Sequence, residues 1–244
     1  MSRAGDILTR FRAVLLDMNG TFLFGGDRFG PGQDYAATYR DLGGSRLSPA
    51  VVHEAVQTCH DTMEVIYNDP ARCDSFPRVL DTLRTLPATG GLPPAEQMLL
   101  ERVIAQHEVG RVPDAYGDWV RRLARSRVVG VVANVLSRKD LWLQEFARAA
   151  VLEHFAVTVF SSDSSSIKPS RKLFDQAVSA LEVPRSEVVF VGDNLRCDIG
   201  GATGAGLAAV WIDGDGRGRT ARDPQPDVVV SDLRDLVVPA EGET

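Results

Sequence analysis

The chain has 244 residues, 44% of them hydrophobic and 25% charged, with a formal net charge of −6. This balance suits a packed α/β core with a smaller second unit and excludes disorder as the default, while the negative charge and the lack of a polybasic block argue against a nucleic-acid partner. No stretch approaches the roughly 18 apolar residues of a membrane span, the polar first dozen residues lack the apolar run of a signal peptide, and Cys59, Cys73 and Cys197 form no CxxC pair, so neither zinc nor a redox dithiol is indicated and a cytoplasmic protein is expected.

In chain order, short apolar runs alternate with stretches of helical period, the signature of a parallel α/β sheet. Ala13-Val14-Leu15-Leu16 is the first run and ends at Asp17 and a Gly-Thr turn. Residues 24–112 then break the rhythm. Val52, Val56, Cys59, Met63 and Ile66 make one apolar stripe, and Leu99, Leu100, Val103, Ile104 and His107 make part of another. Pro77, the 87–94 region and Thr89-Gly90-Gly91 punctuate them as loops. The pattern predicts a helical unit over 24–112, inserted into a Rossmann-like parallel-sheet core made of 1–23 and 113–244. Tyr116, Trp119, Val120 and Leu123 recur at helical spacing, and Arg121, Arg122, Arg125 and Arg127 read as the solvated side of that helix and its exit. The runs 128–132, 157–160, 188–191, 208–212 and 228–230 are nearly continuous and β-branched, as strands covered on both faces must be. Between them, Trp142, Phe146 and Ala149, and then Leu173, Phe174, Ala177, Val178 and Leu181, return to helical spacing.

Ligands of an open parallel sheet bind beyond the carboxyl ends of its strands, so the residues that follow each strand are the candidates. They are Asp17-Met18-Asn19-Gly20-Thr21, then Ala133-Asn134, then Ser161-Ser162-Asp163 leading to Ile167-Lys168-Pro169, and finally Gly192-Asp193-Asn194 with Asp198 beyond. Taken singly, each has a plainer use: an Asp after a strand commonly caps a turn, Asp198 favours a helix start, and Thr21 can cap the following turn. Together they suit phosphoryl transfer. Carboxylates at two strand ends suit Mg²⁺, which keeps waters and a phosphate oxygen. A lysine neutralises charge on nucleophile and phosphate. Asp17, held ionised by both, can attack phosphorus.

Four segments, VLLDMNGT (14–21), VVAN (131–134), IKPSRKLF (167–174) and VFVGDNLRCDIGGATGAGL (189–207), resemble the motifs of the haloacid dehalogenase-like superfamily in order and spacing. The resemblance covers residues 11–236, except that the insert matches only in position and helical character. It implies a cap that closes over the site, Mg²⁺ as cofactor, a small phosphorylated metabolite as substrate and a phospho-aspartyl intermediate on Asp17. It implies that Asp17, Asp193 and the backbone carbonyl of Asn19 ligate the metal, with Asp198 supporting metal-bound water. Lys168 bridges Asp17 and phosphate, while Asn134, Thr21 and Asn19 belong to the phosphate-binding set.

Two positions depart from the family pattern. Its phosphatases carry a second Asp two residues after the nucleophile, which protonates the leaving group and then activates water; here that residue is Asn19. An amide cannot exchange that proton, a loss of ~10²–10⁴ in rate for an alkyl phosphate and less for a good leaving group. Ala133 replaces a Ser or Thr, removing a donor worth roughly a few kcal/mol. Three readings follow: an attenuated phosphatase, a phosphate-binding pseudoenzyme with a regulatory or partner-binding role, and a metal-independent haloacid dehalogenase, against which the intact Asp193 and Asp198 argue. A phosphonate hydrolase needs a cap lysine, and residues 24–112 contain none. The remaining features read plainly. Asp213-Gly-Asp-Gly-Arg-Gly is a turn; His53 and His60, ~10 Å apart along a helix, are ordinary helix positions; Arg72, Asp74 and Arg78 are a solvated face; Met18, Trp142 and Phe146 are packing.

Overall fold

Strand β1 (Ala13–Leu16) is buried throughout, and its successive side chains serve opposite sides of one sheet. Val14 and Leu16 join one apolar cluster, Ala13 and Leu15 a second, as a period of two demands of a strand covered on both faces. After β1 come helices α1 (Tyr35–Asp41), α2 (Pro49–Tyr67), α3 (Val79–Thr85), α4 (Pro94–Glu108) and α5 (Asp114–Ala124). The alternation then resumes with β2 (Val128–Ala133), α6 (Asp140–Arg148), β3 (Phe155–Phe160), α7 (Arg171–Leu181) and β4 (Val188–Gly192). A π-helical turn, Leu195–Gly200, runs into α8 (Gly201–Gly204), and β5 (Ala208–Ile212) and β6 (Val228–Val230) complete the sheet. This computed structural model describes residues 7–236.

All six strands are parallel, in the order β3-β2-β1-β4-β5-β6. The chain winds outward from β1 through β2 and β3, then restarts at β4 on the other side of β1. Connections diverge at that switch point and leave a crevice beyond the strand tips. Asp17 follows β1 and Asp193 follows β4, so they stand on its two lips, and the Asp17 amide donates to the Val191 carbonyl at 2.8 Å. The predicted run 157–160 begins earlier than expected, because Phe155 pairs with Val129 across a bulge that leaves Ala156 out of register. Arg127 corrects a sequence expectation: it is buried, not solvated, and its guanidinium donates to the carbonyls of Leu8 and Ser126.

Helices α1–α4 share a separate apolar cluster that includes the predicted stripe Val52, Val56, Cys59 and Met63 with Leu100, Val103 and Ile104. Ser48 caps α2 by accepting from the Val51 amide, with Pro49 in the first turn. Two linkers tie this layer to the sheet as an antiparallel pair. Phe24 and Arg111 exchange backbone hydrogen bonds of 2.9 and 2.8 Å, and the Asp27 amide donates to Glu108 at 2.9 Å. The approach needs glycines: a Cβ on Gly26 would lie 2.4 Å from the Glu108 carbonyl oxygen, and one on Gly110 2.5 Å from that of Phe24. A third tie runs to the loop before α7. The Phe76 amide donates to Ser165 and the Ile167 amide to Cys73, both at 2.8 Å. The Asp74 carboxylate accepts from Ser166 at 3.2 Å and Ser170 at 2.6 Å, so a side chain expected on a solvated face joins the layers instead. No helix among the described residues is long and apolar enough to cross a membrane.

Candidate active site

The strand tips bring together the acidic and basic residues that sequence order keeps far apart. Lys168, 2% exposed, places Nζ 2.5 Å from Asp17 Oδ1 and 2.7 Å from Asp198 Oδ1. Its aliphatic stem needs burial, and its ammonium lies 5.4 Å from the centre of the Phe190 ring on β4. The lysine's own peptide is gripped by Asn134: Lys168 N donates to Asn134 Oδ1 at 2.7 Å, and Asn134 Nδ2 donates to Lys168 O at 3.1 Å. The Asn134 side-chain amide thus ties down the lysine's backbone, a contact that local sequence did not announce.

Asp198 sits in the first turn of the π-helical segment, where Asn194 Oδ1 accepts from the amides of Arg196 and Cys197 at 3.0 and 2.9 Å. The Asn194 amide in turn donates to Asp198 Oδ2 at 2.9 Å. Oxygens of Asp17, Asp193 and Asp198 come within 4.8 Å of one another. Two glycines make that crowding possible. A Cβ on Gly20, whose φ is +76°, would meet Asp193 Oδ2 at 2.3 Å, and one on Gly192 would meet Asp198 Oδ2 at 2.5 Å. Gly192→Ala is accordingly expected to cost ~1–3 kcal/mol through overpacking against the Asp198 carboxylate, read by urea denaturation.

Three buried or half-buried carboxylates facing one ammonium leave an excess of negative charge. Asp17 is consequently pushed up to about 8, chiefly by burial and then by Asp198, against the lowering effect of Lys168. Asp193 is pushed up to about 6 by burial and by Asp198. Lys168 is held well above the usual lysine range: burial opposes its charge, and Asp17 and Asp198 overcome that opposition. The donor set fits a hard divalent cation, which would balance the excess with oxygen ligands alone. Asn19 adds a buried side-chain oxygen with no protein hydrogen-bond partner beside it.

Above this floor opens a cavity of about 360 Å³ that Asn19, Asn134 and Asp193 also line. Thr21 lies elsewhere: it is buried, and it lines a neighbouring hollow of about 610 Å³ on the other side of Asp193. The Asp213 loop is a closed turn, its carboxylate accepting from the amides of Arg217 and Gly218. Sequence reasoning missed the cavity's far wall, formed by Asp27 of the first linker and by His60, Glu64, Tyr67 and Phe76 of the helical layer. A signal was present: His60, Glu64 and Tyr67 recur at i, i+4 and i+7 along α2, beside its apolar stripe. His53 is exposed, as expected of an ordinary helix position, whereas His60 stacks on Phe29 at 4.2 Å and faces the cavity. Glu108 also reaches the cavity, but its carboxylate accepts from the Leu136 and Ser137 amides and the Ser137 hydroxyl.

A family model described as HAD-hydrolase-like matches residues 167–236. A phosphoserine phosphatase of Thermus thermophilus is 33% identical over 155 residues, 62% of this chain and 60% of that relative's own length. Among solved structures, a 2-haloacid dehalogenase from Pseudomonas syringae pv. Tomato aligns over 91% of this chain and 95% of its own, with TM-score 0.63 and 22% identity. A HAD phosphatase from Thermococcus onnurineus aligns over 92% and 95%, with TM-score 0.56 and 24% identity. At those identities the likeness shows the fold, which phosphatase and dehalogenase share.

Proposed function

We propose that the chain belongs to the haloacid dehalogenase-like hydrolase superfamily, whose model matches residues 167–236, and that it is a Mg²⁺-dependent hydrolase of a small phosphorylated metabolite. One observation carries this reading: three carboxylates crowd together at the sheet's switch point, two of them paired with a buried lysine, under a cavity large enough for a small ester. Helices α1–α4 serve as the cap over that cavity. Asp17 is the nucleophile, and its carboxylate oxygen forms the new bond to phosphorus as the ester oxygen departs. Lys168 holds Asp17 in line and offsets charge on the phosphoryl group. Asn134 fixes the lysine's backbone. Mg²⁺ would be held by Asp17, Asp193 and the Asn19 carbonyl with Asp198 behind, and would supply charge neutralisation for the phosphoryl oxygens. Asn19 can hold no proton for the leaving group, so the reaction favours esters whose alcohol leaves easily. The reading sets this chemistry in a reducing cytoplasm, where phosphorylated metabolites and thiols such as Cys59, Cys73 and Cys197 persist.

The test is turnover of a panel of phosphate esters by the wild type and Asp17→Asn, with Mg²⁺ and with chelator. Turnover should fall roughly 10³-fold or more in the variant and vanish on chelation. Halide release that survives chelation would replace this reading with a metal-independent dehalogenase. A phosphate-binding pseudoenzyme with a regulatory or partner-binding role is the second reading, favoured by Asn19 and by the missing hydroxyl at Ala133.

A further inference from the structure

The cavity is polar in a directional way. Lys168 is the only lysine or arginine among the described residues that line it. The cap brings no cation to the opposite wall. Its nearby Arg28 spends its guanidinium on the carbonyls of Gly25, Gln106 and Val109. What the cap brings is carboxylate and aromatic surface: Asp27, Glu64 and the imidazole of His60, with Phe76 and Tyr67 beside them. Acidic groups next to aromatic faces attract an ammonium ion. Tyr67 already receives one cation on a ring face, the Arg196 guanidinium at 5.3 Å. A dianionic phosphate on the floor and a second anion at the far wall would set that anion against two carboxylates.

Asn19 points the same way on separate chemical grounds. With no acid at that position, the leaving alcohol must be intrinsically good or bring its own proton. An alcohol bearing a neighbouring ammonium does both, since the positive charge stabilises the departing oxygen and its N–H lies close to it.

Resting on the phosphoryl reading of the Asp17 site, we propose that the substrate is a phosphate monoester of an amino alcohol, its ammonium group recognised by Glu64 and Asp27. In the first step a bond forms between the Asp17 carboxylate oxygen and phosphorus as the ester P–O bond breaks. The electron pair left on the alcohol oxygen takes a proton from the substrate's own ammonium. The products of that step are aspartyl phosphate and a neutral amino alcohol.

Non-hydrolysable probes test recognition whether or not the protein turns over. Calorimetry with Mg²⁺ would compare 2-aminoethylphosphonate, propylphosphonate and 3-phosphonopropionate. The amino compound should bind about 10-fold tighter than the neutral one and the carboxylate more weakly than either, the scale of a few-ångström charge contact in a partly solvated site. Glu64→Gln and Asp27→Asn, both at exposed positions where folding is undemanding, should each shrink the amino-to-neutral ratio severalfold. Equal binding of the amino and neutral probes, tightest binding of the carboxylate, or an undiminished ratio in both variants overturns the inference and leaves the phosphoryl reading standing. If none of the three binds to folded protein with Mg²⁺, the phosphoryl reading itself fails and the inference falls with it. In turnover, Asn19→Asp should help ethyl phosphate at least tenfold more than aminoethyl phosphate; equal gains overturn the proposal.

Discussion

Lys168→Met is expected to destabilise the metal-free protein by about 3–5 kcal/mol and to lower turnover by roughly 10³-fold or more. The ammonium sits within 2.7 Å of both Asp17 and Asp198, and all three side chains are buried. Methionine fills the space of the stem but leaves Asp17 and Asp198 without the ammonium that offsets their charge when ionised, the costly half of a broken buried ion pair. The cost should depend on pH, and its sign follows from Asp17. Because Asp17 is pushed up to about 8, the folded protein keeps a proton that the unfolded chain releases near 3.8. Between those values the native state binds more protons, so the contribution of this carboxyl to stability falls as pH rises. Removing the lysine takes away a lowering influence and pushes Asp17 higher still. Urea denaturation with chelator should therefore show a larger deficit for Lys168→Met at pH 8 than at pH 5. Saturating Mg²⁺ should recover part of it through binding to the folded state. A deficit that is the same at both pH values would mean that the carboxylates do not depend on this ammonium.

Asn19→Asp is expected to raise turnover of an unactivated alkyl phosphate by ~10²–10⁴, and that of an acyl phosphate far less. The argument is one of proton inventory. Asn19 lines the same cavity as Asp17 and has a buried side-chain oxygen with no protein partner, so an isosteric carboxyl at this position displaces no protein hydrogen bond of that oxygen and adds a proton carrier to the cavity wall. The same change adds a further carboxylate to a site already rich in negative charge. In the absence of metal it should lower stability, and Mg²⁺ should become correspondingly more stabilising. Steady-state rates on paired alkyl and acyl phosphates, with thermal melts at graded Mg²⁺, check both halves. If the substitution yields no turnover although Mg²⁺ and phosphate mimics bind, the pseudoenzyme reading displaces the hydrolase.

The local alphabet of the chain was sufficient for the elements of the core. The runs that become β1, β2, β4, β5 and β6 are legible because a strand buried on both faces writes its burial into consecutive residues, and the helix stripes into every third and fourth. The floor residues Asp17, Lys168, Asp193 and Asp198 were legible for a related reason: parallel topology sends whatever follows each strand to the same rim. Local pattern said nothing about contacts between distant segments. That Asn134 grips the Lys168 peptide, that Arg127 is buried under Leu8, that Thr21 turns away from the main cavity and that His60 and Glu64 look into it are all set by packing of remote segments. A helix stripe marks which face is apolar, but the direction its polar face looks is decided only when the linkers at 24–28 and 107–111 pair and lay α2 over the strand tips, a placement written in backbone hydrogen bonds between segments some eighty residues apart.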